Sequence, residues 1–314
     1  LPNFSDPTRH TGLAALATAY TLRNFKAQAS VLYTMVDDLH SSISDGKVIA
    51  RHSKWTHKFT PAVFVSYAPW WQHDLNFRAF YKRIFRMPTF NDLYYTDIGN
   101  ASLKPEYVEQ YDIGAQYQLL PDRGAFAGIK ISADAYYNYI TNKIIAVPKG
   151  TGMYRWMMMN IGKVKIKGID LSARASVRPM PDVRMDLNLS YTFQRAQDYS
   201  NPDDCGDGGT YKGQIAYVPW HSGSCVVHGA WRDLELNYSF IYVGERYHNS
   251  ANIPANHEQP WYTHDISACY SFRCNKVRFK VTGEVNNLFN QYYDVIQNYP
   301  MPGRNYKFIL KVDI

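Results

Sequence analysis

The last ten residues, NYKFILKVDI, alternate between apolar and polar side chains over most of their length. In a β-strand this period-two pattern puts one set of side chains on each face of the sheet. The apolar set consists of Tyr306, Phe308, Leu310, Val312 and Ile314. Such a face points into the core of a soluble sandwich, whereas in an outer-membrane barrel it points outwards to lipid. The rest of the chain has to distinguish these two folds.

The same alternation recurs along the whole chain and predicts an all-β protein of about thirteen strands. The clearest example is KVRFKVTGEVNNL (276–288). No stretch approaches the roughly 18 uncharged apolar residues of a transmembrane helix. The candidate strands lie near 12–22, 25–36, 57–67, 75–85, 107–118, 129–139, 160–177, 185–194, 223–231, 234–242, 261–272, 276–288 and 303–314.

The connections between these strands alternate in length. Short ones lie near 23–24, 68–74, 120–125, 178–182, 232–233 and 273–275, and long ones fill 38–55, 86–106, 140–158, 197–222, 247–260 and 289–302. Long loops at one end and short turns at the other are typical of an antiparallel transmembrane β-barrel in the bacterial outer membrane, with the turns in the periplasm. The C-terminus is then periplasmic. Counting strands back from it starts the chain in an extracellular loop, which predicts an incomplete barrel because such barrels have even strand numbers.

The composition agrees with a membrane barrel. Aromatic residues make up 15% of the chain, with 26 Tyr and 7 Trp, and such side chains are enriched where a membrane meets water. The 34 Lys and Arg residues are scattered along the chain, which argues against nucleic acid as a partner. A tyrosine-rich, secreted all-β binding protein is the alternative.

Two local features lead to further expectations. Cys205 and Cys225 flank a glycine-rich stretch and suggest a disulfide bridge in an oxidising compartment, whereas the state of Cys269 and Cys274 is open. In KVKIKGIDLSARASV (163–177) the apolar positions change parity at 167–168, which suggests a β-bulge. A basic row is expected to face the lumen, to attract an anionic ligand or to pair with acidic groups inside the barrel. The row consists of Lys163, Lys165, Arg278 and Lys280.

Several segments, in order along the chain, resemble one family, the TonB-dependent outer-membrane receptors. FRMPTFNDLYYTDIGNASLKPEYVEQYDIGAQY (85–117) is similar to the family's arginine–x–proline stretch and the strand after it, and NIGKVKIKGIDL (160–171) to its asparagine–x–glycine strand. IAYVPWHSGS (215–224), YVGERY (242–247) and GEVNNLFNQYYDVIQNYPMPGRNYKF (283–308) resemble its later strands. One departure is the end of the chain, because Ile314 stands where the family usually has an aromatic residue.

The resemblance implies that residues 1–314 are the C-terminal portion of a 22-stranded plugged barrel, whose plug domain and N-terminal strands are absent from this chain. It also implies import of a scarce nutrient, with a TonB-type energy-coupling complex acting through the plug and outer-membrane lipid around the barrel. A ferric siderophore or another iron complex is the expected cargo, with cobalamin and then haem as alternatives. A passive outer-membrane pore is a further alternative, of another class.

Ligand-binding residues are expected at the extracellular mouth, where aromatic and methionine side chains can stack on a bulky cargo. The candidates are Tyr94, Tyr95, Trp156, Met158, His248, Tyr292 and Tyr299. The alternatives are an aromatic girdle, packing between strands and, for His248, a solvated loop histidine. No nucleophile elbow, phosphate loop or zinc helix is present, so we expect neither an enzyme nor a cofactor. The acidic loop at 203–207 departs from a calcium-binding pattern, so we expect no metal site.

Overall fold

A computed structural model of the chain describes residues 7–44, 47–69, 74–95, 98–121, 125–148 and 156–313. Most of the described chain is β-strand. The expectations for the start of the chain and for Ile314 lie outside the described residues.

Thirteen strands form a single antiparallel sheet, as predicted, and each is hydrogen-bonded to the next of the thirteen along the chain. They are β1 (Thr8–Leu22), β2 (Phe25–Ser44), β3 (Lys47–Tyr67), β4 (Asp74–Arg86), β5 (Glu106–Leu119), β6 (Phe126–Pro148), β7 (Trp156–Met180), β8 (Val183–Asp198), β9 (His221–Trp231), β10 (Leu234–Val243), β13 (Trp261–Cys274), β14 (Val277–Asn286) and β17 (Asn305–Asp313). The sheet is open, because β1 and β17 form its two edges.

Small elements lie in the long connections. Two short hairpins are formed by β11 (Arg246–Tyr247) with β12 (His257–Glu258), and by β15 (Asp294–Ile296) with β16 (Tyr299–Pro300). Helix α1 (Phe90–Tyr94) is capped by Thr89, and a 3₁₀ turn covers Pro254–Asn256. Within the described residues, no helix is long and apolar enough to cross a bilayer.

The long connections all lie at one end of the sheet, which we call the long-loop end, and the short turns lie at the other, the short-turn end. Several strands extend further towards the long-loop end than the alternation predicts. For example, β2 continues to Ser44 and β6 to Pro148. The apolar alternation marks only the part of a strand that needs one apolar face, whereas backbone pairing continues beyond it.

The strand register puts the two sets of side chains on opposite faces. On the first face, Leu310 pairs with Val281, Val281 with Tyr270, and Tyr270 with Leu234. We call this the apolar face. Its exposed members include Leu16, Ile113, Ile131, Ile169, Leu171, Leu189, Leu236, Tyr270 and Leu310. The opposite, polar face carries Asp112, Asp134, Ser172, Asn188, Asn237, Ser267 and Lys280. A continuous exposed apolar face of this size is suited to lipid.

The prediction of a β-bulge at 167–168 is wrong. The β6–β7 pairing keeps one register from Lys163 to Ser176, and the β7–β8 pairing does so from Val164 to Val177. Lys163 and Lys165 therefore lie on the same side of the sheet as Ile169 and not on the polar face. Arg278 and Lys280 lie on the polar face as expected.

The change of parity has another cause, which is a small apolar core on the polar side at the long-loop end. Val164 has 0% exposure and packs with Ile140, Ala196 and Ile215. The chain after β8 folds back to cover these strands, since the Ile215 N–H donates to the carbonyl of Ala196 at 3.2 Å. Val164 is thus apolar because a loop covers it.

Candidate functional site at the long-loop end

Arg246 holds three segments of the long loops together. Its side chain is 3% exposed and donates to the carbonyl oxygens of Gln259 at 3.3 Å, Asp294 at 2.6 Å and Val295 at 3.3 Å. Burial lowers the pKa of the guanidinium, but an arginine remains charged at neutral pH. The two short hairpins are therefore fixed to each other through one cation.

A cavity of about 370 Å³ opens beside this arginine. Trp261 and Tyr293 stack in its wall with ring centroids 4.4 Å apart. The predicted ligand residue Tyr292 also lines it and is 83% exposed. The cavity thus combines a rigid aromatic wall with a free tyrosine side chain at its edge. The other lining residues include His257, Glu258 and Met301.

His248 is a poor candidate for capturing a metal. It is 8% exposed, and its Nδ1 lies 2.9 Å from Oε1 of Glu258. This contact spans the hairpin formed by β11 and β12. The histidine therefore does not line the cavity itself, but it contacts Glu258, a carboxylate that does.

Trp156 and Tyr299 belong to a second group of mouth residues. The Trp156 ring lies 5.9 Å from the ring of Tyr217, whose hydroxyl accepts the N–H of Gln297 at 3.4 Å. Gln297 lies in the turn between β15 and β16, shortly before exposed Tyr299. Burial raises the pKa of Tyr217, which keeps its hydroxyl neutral. Sequence reasoning did not count Tyr217 among the ligand candidates, although it lies within the recognised segment IAYVPWHSGS (215–224).

The remaining candidates form a third group around helix α1. Tyr94 ends the helix, and the Tyr95 carbonyl accepts the N–H of Ile98 at 3.1 Å. The Ile98 carbonyl in turn accepts the N–H of Met158 at 2.8 Å. The predicted residues thus lie at the same end of the sheet, in three neighbouring groups along the loops.

Three histidines on the apolar face form a feature that sequence reasoning missed. Tyr hydroxyls lie 2.7 to 2.8 Å from their Nδ1 atoms, in the pairs Tyr33–His57, Tyr191–His221 and Tyr238–His264. Aromatic side chains with a polar tip are suited to a membrane–water interface. Each histidine stands at a strand position that alternation assigns to the apolar face, and this was the signal that could have identified them.

The predicted bridge between Cys205 and Cys225 is absent from the structure, in which both are free thiols. Cys225 is the fifth residue of β9 and lies on the apolar face opposite Leu189 and Phe240. Cys205 lies in the exposed loop between β8 and β9. The two residues flank a loop in sequence, but the strand carries Cys225 away from that loop.

We expect Cys205 of the intact protein in detergent to react with a bulky polar maleimide, because its thiol is exposed. Cys225 is expected to react only after unfolding, since detergent covers the apolar face. Because Cys274 is also an exposed thiol, mass spectrometry of the labelled peptides measures each position separately, and Cys205→Ser identifies the loop adduct. Labelling at Cys205 that requires prior reduction would instead establish the bridge.

Comparison with known proteins agrees with this architecture. The family described as "TonB dependent receptor-like, beta-barrel" matches residues 2–288. A protein named "Vitamin B12 transporter BtuB" from Photobacterium profundum is 29% identical over 225 residues, which are 71% of this chain and 32% of that protein. Another of the same name, from Vibrio vulnificus, is 40% identical over 89 residues, which are 28% of this chain and 13% of that protein.

Among solved structures, the ferric-catecholate import receptor Fiu from Escherichia coli K12 superimposes with a TM-score of 0.69 at 17% identity. The match covers 98% of this chain and 45% of that receptor. The chain thus spans about a third of the first curated relative and less than half of this receptor. At this identity the structural likeness concerns the fold alone. The family match covers most of the residues, and the chain therefore belongs to the TonB-dependent receptor β-barrel family.

Proposed function

We propose that this chain forms part of an outer-membrane transporter that imports a scarce, bulky nutrient, driven by a TonB-type complex acting through a plug. Membership of the receptor family is the observation that carries this proposal. The polar face agrees with it, because a lumen that holds a plug needs hydrogen-bonding and charged side chains. On that face the Arg78 guanidinium binds both carboxylate oxygens of Asp134, and Asp112 lies nearby.

An iron complex such as a ferric siderophore is our first candidate for the cargo. Exposed Tyr292 and Tyr299, together with the Trp261–Tyr293 stack, provide flat apolar surfaces at the long-loop end, suited to an aromatic chelate. Cobalamin is the second candidate, and the names of the two curated relatives favour it. Haem ranks third, because His248 already contacts Glu258.

Uptake by cells that carry or lack the complete gene tests the proposal. We expect the gene to increase uptake of a radiolabelled ferric siderophore, and a protonophore to abolish that increase. Energised uptake of labelled cobalamin alone would move the cargo assignment to the second candidate. Uptake that persists with the protonophore and follows solute size would indicate a passive pore and overturn active import.

A further inference from the structure

The apolar face changes abruptly to a basic surface where the strands approach the long loops. Along β7 it is apolar from Val177 to Ile169, eight residue steps or about 26 Å of strand. A strand tilt of roughly 40° reduces this to about 20 Å, close to the height of a barrel's lipid-facing band. The next three positions on the same side are Lys167, Lys165 and Lys163.

Strand β8 and the loop that follows it extend this surface, which we call the outer basic cluster. It consists of Lys163, Lys165, Lys167, Arg195 and Lys212. The register places Lys167 directly opposite Arg195. Like charges in directly opposed positions repel each other and destabilise a strand pair. This repulsion is relieved when an anion binds between the two side chains.

The protein supplies little negative charge to this cluster. Among the described residues, none of its five cations has a carboxylate within 4.0 Å. Some opposed cations elsewhere do have one, such as Arg83 with Glu109 at 3.7 Å and Lys307 with Glu284 at 3.6 Å. Glu109 borders the cluster but belongs to the Arg83 pair. The cations are therefore available to an external anion.

Aromatic rings lie beside the cations and help to form clefts between them. Lys165 Nζ lies 4.3 Å from the centre of the Tyr199 ring, and that ring meets Tyr211 edge-on at 5.6 Å. Tyr137 pairs with Lys167 and Tyr139 with Lys165 on the β6 side. Three clefts of about 600, 530 and 390 Å³ lie between these side chains, and the first of them reaches down to Ile169 and Phe193. A ligand there meets amines, phenol rings and then an apolar wall.

We infer that the outer basic cluster binds a phosphorylated glycolipid of the surrounding leaflet. The lipid's phosphate groups lie between Lys165, Lys167 and Arg195, and its acyl chains lie along Ile169 and Leu171. Charge complementarity and continuity with the apolar face support this occupant over a soluble anion, which has no use for the apolar wall. The inference concerns the outer wall of the barrel and does not depend on the cargo or on active import.

Binding of purified lipid A to the complete receptor in detergent tests the inference. The variant carries Lys165→Gln, Lys167→Gln and Arg195→Gln. A matched control removes three exposed cations near the short-turn end, through Arg23→Gln, Arg178→Gln and Lys276→Gln. Each basic residue beside an anionic leaflet contributes about fivefold in affinity, so we expect the variant to bind on the order of 100-fold more weakly and the control to bind like wild type.

Three further measurements make the result decisive. Lipid A without phosphates is expected to bind wild type as weakly as phosphorylated lipid A binds the variant. Inorganic phosphate at millimolar concentration is expected not to displace the lipid, and displacement would show that the site binds free anions instead. Heat-dependent gel mobility establishes that variant and control are folded. Equal affinity of a folded variant and wild type for lipid A would overturn the inference.

Discussion

Replacing Arg246 with alanine is expected to release the two short hairpins at the long-loop end from each other. Three carbonyl oxygens lose a charged donor in a buried place. Hydrogen bonds to charged groups contribute about 1.5–3 kcal/mol each, but two of these three are long, at 3.3 Å, so we expect local stability to fall by roughly 3 kcal/mol. Amide exchange of residues 294–301 in the complete receptor should then become about 100-fold faster.

Two amide groups report this opening directly, because the N–H of Met301 donates to the Tyr293 carbonyl at 3.0 Å and that of Asn298 to Asp294 Oδ2 at 3.1 Å. We expect cargo affinity to fall in parallel, since the binding-competent arrangement becomes less populated. Arg304→Ala is the matched control, because that exposed arginine lies in the same loop and bonds through its backbone N–H. Unchanged exchange in Arg246→Ala would show that the guanidinium does not hold the hairpins.

Replacing Val164 with aspartate is expected to detach the segment around Ile215 from the sheet. An unpaired carboxylate would be buried among Ile140, Ala196 and Ile215. We expect a loss of roughly 3–5 kcal/mol, against about 1–2 kcal/mol for Val164→Ala, which only removes methyl groups. Unfolding in urea, followed by tryptophan fluorescence, measures both.

Lys163→Asp provides the comparison for this series. It introduces the same carboxylate one residue away, at an exposed position on the opposite side of β7. We expect a change below about 1 kcal/mol for that substitution. If Val164→Asp were no more harmful than Lys163→Asp, the small apolar core would have no role in stability.

Much of the fold could be predicted because alternation and loop length report the same architecture independently. All thirteen strands of the sheet coincide with predicted ones, as in 234–242 against Leu234–Val243. The ends of the strands beyond the membrane could not be predicted, because pairing at Ser44 or Pro148 needs no apolar set. The family resemblance was likewise visible in local motifs, such as those at 85–117 and 283–308.

The errors have one physical origin, which is that a sequence pattern does not show what covers a residue. The apolar residues Val164 and Ile166 suggested a shifted register. In the structure Val164 is covered by a loop about 50 residues further along the chain. The role of Arg246 could not be predicted from the YVGERY motif, since its partners are carbonyl groups in its own loop and in a distant one. Cys205 and Cys225 are near in sequence, but the direction of β9 separates their positions.

The length of β6 and β7 sets how far the long-loop end stands beyond the apolar band. From Lys167, at the edge of the apolar band, to Trp156 the strand covers eleven steps, or about 36 Å at 3.3 Å per residue. At the tilt of a membrane barrel this is a height of about 28 Å. The paired strands therefore hold Trp156 far beyond the lipid-facing band. Under the proposed function, a cargo would first touch the protein in solvent, well before it reaches the level of the lipid.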